Sequence, residues 1–117
     1  MRLLEMKQFR GAIQVSFRYH KHLGPRGEMA GVSLGLGSND TYRFTSQARW
    51  PEDDYTSAVE RGVRDGLREA GFDPDLGVSV RLEAVEYHPI DSDERAFYFA
   101  AKSAASAWAV DKRRSAA

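Results

Sequence analysis

The sequence predicts an α+β fold: a two-layer sandwich in which one mixed sheet carries both helices on one face. Three observations predict it. Apolar residues alternate with polar ones at Ile13, Val15, Phe17 and Tyr19, and again at Val32, Leu34 and Leu36, the period of half-buried strands. After Trp50-Pro51 the apolar spacing changes to three and four, and it does so again beyond Asp93. Between those stretches Val80, Leu82 and Ala84 alternate with Arg81 and Glu83. The order β-β-β-α-β-α buries its apolar surface when both helices cover the same side of one sheet of about four strands.

The elements follow in chain order. Leu3, Leu4, Met6 and Phe9 fit either a short strand or a helical turn. Ile13 to Tyr19 is an amphipathic strand. Leu23-Gly24-Pro25-Arg26-Gly27 has turn chemistry, since glycine permits positive φ and proline fixes its own. Val32 to Leu36 forms the next strand, ended by Gly37-Ser38-Asn39-Asp40, and Tyr42 and Phe44 begin a third. Pro51 suits a first helical position, with Glu52, Asp53 and Asp54 complementing the helix dipole, which predicts a helix near 52–70. Gly62 and Gly66 lie on its apolar face, each costing about 1 kcal/mol of propensity, so a close approach to the sheet is expected there. Gly71 reads as the stop, followed by Asp73-Pro74. The strand from Val80 slips phase at Ala84-Val85, which predicts a bulge or a strand end near there, and Tyr87-His88-Pro89 ends its ladder. Asp91 and Glu94 have capping-box spacing ahead of a helix near 93–110, whose stripe is Phe97, Ala100, Ala101, Ala104, Ala105 and Trp108.

At 117 residues the chain is expected to be a single domain, with its core at about 12–110 and 111–117 as a solvated tail. Cysteine is absent, which excludes disulfides and thiolate metal sites. No apolar run reaches membrane-spanning length and the N-terminus has no signal-peptide core, so a cytoplasmic protein is expected. Lys+Arg and Asp+Glu balance at 17 each, so any nucleic-acid contact rests on local patches: Arg18 to Arg26 and Lys112 to Arg114.

Three motifs identify a family. Tyr87-His88, two residues, Asp91-Ser92-Asp93-Glu94, one residue, Ala96-Phe97 and an alanine-rich helix resemble the fourth domain of elongation factor G. Pro51 to Arg68 resembles that domain's first helix, and Gly24-Pro25-Arg26-Gly27-Glu28 stands where the family has a Gly-Gly-Arg-Gly-Gln loop. The motifs arrive in the family's order and cover roughly residues 20 to 110. Pro25 replaces a glycine, and Pro89 an acidic residue. The resemblance implies a left-handed β-α-β crossover. It also implies that the loops Leu23–Met29 and Tyr87–Asp91 sit together at one tip and approach transfer RNA or ribosomal RNA of the small subunit. The residues it singles out are Lys21, His22, Gly24, Arg26, Gly27, His88, Pro89 and Asp91.

Other chemistry is weaker. His20-Lys21-His22 places two histidines on one strand face, but no nearby acid completes a metal site, and none is expected. Asp91, Asp93 and Glu94 are explained by capping before acid/base work. No nucleophile elbow surrounds any serine. No G-x-x-x-x-G-K-[ST] occurs, so neither nucleotide nor other cofactor is expected. The expectation is a non-enzymatic, stand-alone translation module without the GTPase domain. The alternatives are a repurposed protein-interaction domain and, last, an enzyme on the same scaffold.

Overall fold

The computed structural model describes residues 2–9, 12–23 and 26–116. Its elements are β1 (Arg2–Phe9), β2 (Ala12–Leu23), β3 (Arg26–Ser38), β4 (Arg43–Ser46), α1 (Thr56–Glu69), a 3-10 turn (Pro74–Leu76), β5 (Val78–Glu86) and α2 (Glu94–Ala116). The strands form one sheet in the order β1-β2-β3-β5-β4. Only the β4–β5 pair, joined through α1, is parallel; β1–β2, β2–β3 and β3–β5 are antiparallel. The expected mixed sheet is therefore present, with β1 as a fifth strand that its alternation did not settle.

The inner face carries Val15, Phe17, Tyr19, Ala30, Val32, Leu34, Leu36, Val78, Val80 and Leu82, all buried under the helices. The outer face is polar. Ser16 and Ser33 hydroxyls meet at 3.0 Å, Gln14 donates to Glu83 at 2.9 Å, and Arg18 pairs with Glu86 at 3.1 Å. Ser33 faces Ala84 but Leu34 faces Leu82, so Glu83 is the extra residue of a bulge. That bulge, adjacent to the expected slip, turns Val85 back toward the core opposite Val32.

α1 begins at Thr56, later than the sequence suggests. The Trp50 indole donates to Thr56 Oγ1 at 3.0 Å, and Asp54 Oδ1 accepts the Thr56 amide hydrogen at 2.8 Å. These contacts hold residues 51–53 in a bend, so Pro51 and the acids after it precede the helix instead of forming its first turn. Gly62 and Gly66 face α2, not the sheet. A Cβ at either would collide with the Tyr98 or Lys102 carbonyl oxygen. The two helices thus cross backbone to backbone, which compensates the lost propensity. Gly71, at φ 81°, ends α1 as expected: its amide bonds the Arg68 carbonyl and the Phe72 amide bonds that of Leu67, a Schellman pair.

Asp93, not Asp91, caps α2, accepting the Ala96 amide hydrogen at 2.8 Å. Ala96, Phe97, Ala100, Ala101, Ala104, Ala105 and Trp108 form its buried stripe. The residues read as a tail continue this helix: Lys112 donates to Ser38 Oγ at 3.1 Å and Arg113 to the Ala70 carbonyl at 2.7 Å. No helix among the described residues is long and apolar enough to cross a membrane.

Candidate functional site

The segment Tyr87 to Ser92 and the first residues of β3 meet at one end of the sheet. The ladder β2–β3 runs out to Leu23 opposite Arg26, with His22 opposite Gly27 and Lys21 opposite Glu28. Most of the stretch read as a loop is therefore paired strand, because the register set by the buried Tyr19 and Ala30 continues past the apolar core. Gly24 and Pro25 lie outside the described residues, as do the side chains of His22 and Arg26. Lys21 is exposed, and Glu28 opposite it is buried.

Four hydrogen bonds close the segment from His88 to Ser92 and seam it to β3. The Met29 amide donates to the Asp91 carbonyl at 3.0 Å, and Ser92 Oγ donates to the Met29 carbonyl at 2.7 Å. The same hydroxyl accepts the His88 amide hydrogen at 2.9 Å, and the Ser92 amide returns to the His88 carbonyl at 3.0 Å. One buried hydroxyl thus ties the loop to itself and to the strand. At the root, Tyr87 stacks 6.2 Å from both Tyr55 and Phe97, and Trp50 meets Phe97 edge-on at 4.9 Å. The chain between these anchors has little freedom.

Within the loop, His88 Nδ1 accepts the amide hydrogens of Ile90 and Asp91 at 3.2 and 3.1 Å. An acceptor of two N–H groups carries no proton, so the neutral ring holds its proton on Nε2. The half-exposed imidazole therefore presents an outward donor. Asp91 Oδ2 lies 3.7 Å from Nδ1 and gains charge pairing only if the ring protonates. Pro89 contributes no amide hydrogen, while the two residues after it turn theirs inward. Ile90 projects at the apex, 77% exposed.

Of the residues singled out from the sequence, Gly27, His88, Pro89 and Asp91 come together, with Lys21 one rung further along the ladder. Gly27 packs directly on the Asp91 carboxylate. Ser92 was read only as a cap oxygen. A serine in an Asp-Ser-Asp-Glu run looks the same whether it caps a helix or bridges to a distant strand. Among the described residues, no group of three His, Asp or Glu side chains is placed to hold a metal ion. The strongly shifted phenol lies elsewhere: Tyr42 is pushed up to about 12, by burial first and then by the Glu60 carboxylate that accepts its hydroxyl. That pair joins the lead-in to β4 with α1.

The fold is a two-layer α+β domain with one mixed sheet, and the candidate site lies at one end of that sheet. No protein-family model matches the chain. Its relatives are elongation factor G: it is 30% identical over 100 residues to that of Rhodopirellula baltica, covering 77% of this chain and 14% of the relative. It is 36% identical over 90 residues to elongation factor G 1 of Syntrophomonas wolfei, covering 72% of this chain and 13% of the relative. A crystal structure from Thermus thermophilus matches the fold with TM-score 0.73 at 23% identity, covering 91% of this chain and 16% of that one. The chain is thus an elongation factor G-related domain of the fourth-domain type, spanning a small part of those proteins' length.

Proposed function

We propose that this chain is a non-enzymatic, cytoplasmic translation module that contacts ribosomal RNA or transfer RNA through its tip. The observation that supports the reading most is the seam. Met29, Asp91 and Ser92 lock the segment from His88 to Ser92 onto the first residues of β3, and from this segment His88 offers a fixed Nε2–H donor. A rigid donor suits phosphate oxygens, ribose hydroxyls and the acceptor edges of unpaired bases. Arg18 is paired with Glu86 on the outer face, so this reading assigns phosphate neutralisation to Lys21, exposed on β2, and to Arg26, whose side chain lies outside the described residues. Two such contacts on single-stranded RNA give a salt slope of about −1.4, a modest electrostatic contribution.

Sedimentation with purified small ribosomal subunits tests the proposal. The wild-type chain is expected to comigrate at low salt, and His88→Ala to reduce the comigrating fraction. A folded wild-type chain that stays in the supernatant overturns it. In that event the repurposed protein-interaction reading takes its place, which the zero net charge favours.

A further inference from the structure

The two edges of the sheet differ. β4 is four residues long, and short edge strands resist unwanted pairing. β1 is eight residues long, has no proline, and pairs with β2 in unbroken register from Arg2↔Tyr19 to Phe9↔Ala12. As the last strand of the sheet it turns a row of backbone donors and acceptors outward. Its side chains are also left open. Leu3, on the outer face beside Arg18, is 50% exposed; Leu4, on the inner face beside Phe17, is 44% exposed, because the helices pack over β2 and β3.

We infer that β1 is a self-recognition edge, through which a second copy of this chain pairs antiparallel to continue the sheet. Charge selects the register. Glu5 and Lys7 are exposed and share one face of β1. A twofold axis through Met6 sets Met6 against Met6 of the second copy and sets Glu5 of each copy opposite Lys7 of the other. Opposite charges directly across an antiparallel pair stabilise it. Centring the axis on Glu5 sets two carboxylates face to face, and centring it on Leu4 shortens the ladder and leaves Lys7 without a partner. The Met6 register alone satisfies both charges, and it sets each exposed Leu3 and Leu4 beside positions 9 and 8 of the neighbouring strand. This pairing uses the edge as other proteins use strand addition to bind an extended partner. It leaves the tip free and does not depend on what the tip binds.

Sedimentation velocity over rising protein concentration, with circular dichroism as the check on folding, tests the pairing. Wild-type chain is expected to dimerise. Glu5→Lys and Lys7→Glu each turn both cross-strand pairs repulsive and are expected to weaken dimerisation about tenfold. Mixing the two single variants, or combining both changes in one chain, restores attraction and is expected to restore the dimer. A wild-type chain that stays monomeric throughout overturns the inference. So does a dimer that both single variants leave unchanged, or a mixture that fails to recover.

Discussion

Gly27 and Asp91 meet with no room between them for a methyl group. A Cβ on Gly27 would stand 2.7 Å from Asp91 Oδ2 and 3.0 Å from its Cγ. The contact joins the two segments that the family resemblance places at one tip, although they lie far apart in sequence. Gly27→Ala displaces the Asp91 carboxylate, which can rotate away, while the backbone bond from Met29 to Asp91 stays in place. We expect a small loss, under about 1 kcal/mol, measured by urea unfolding. Amide exchange at Met29 should stay close to that of the wild type.

Ser92→Ala tests the seam itself. Its hydroxyl is buried and serves the Met29 carbonyl and the His88 amide together. Removing it leaves both groups short of a partner, which costs about 1–3 kcal/mol. Exchange of the His88 amide should quicken, while the helix-crossing region stays protected.

Gly62→Ala and Gly66→Ala set two effects against each other. Alanine gains about 1 kcal/mol of helix propensity at each position. The added Cβ runs into a backbone carbonyl of α2, and backbone cannot swing away as a side chain does. Overpacking therefore wins, and each variant is expected to lose about 2 kcal/mol net in chemical denaturation. A rise in stability for either would show that α1 and α2 are not in backbone contact.

Asp54 has a pKa below the ordinary carboxylate range, chiefly because of its hydrogen bonds from Thr56. A carboxyl group whose folded pKa lies below its unfolded one stabilises above the unfolded value and loses that contribution as pH falls through the folded value. Asp54→Asn should therefore melt below the wild type near neutral pH, and the two melting curves should converge in acid. The side chain is exposed, so the gap is expected to be small.

The helices' apolar faces and the two long central strands were legible because each buries one face, and burial writes its period into the sequence. β1 was not, because Leu3 and Leu4 are both partly exposed on opposite faces of an edge strand, so no alternation marks it. The start of α1 was misplaced because Pro51 followed by acids imitates a first turn, whereas the Trp50–Thr56 and Asp54–Thr56 bonds set the boundary. Gly62 and Gly66 announced a close approach but not its partner, since propensity reports only that a side chain is missing. At the tip, His88 was visible as a residue. Its orientation was not, because that rests on the amides of Ile90 and Asp91 folding back onto Nδ1.

The most direct test of the central claim uses the absence of cysteine in the chain. Ile90→Cys places a single thiol at the exposed apex of the tip, and Val110→Cys places one on an exposed position sixteen residues along α2 from Glu94, about 24 Å away at 1.5 Å per residue. Each thiol carries a tethered iron chelate that cleaves nearby RNA through hydroxyl radicals. With small ribosomal subunits, cleavage of ribosomal RNA is predicted from position 90 and little from position 110. Equal cleavage from both positions, or cleavage from 110 alone, would contradict the tip as the RNA-facing end.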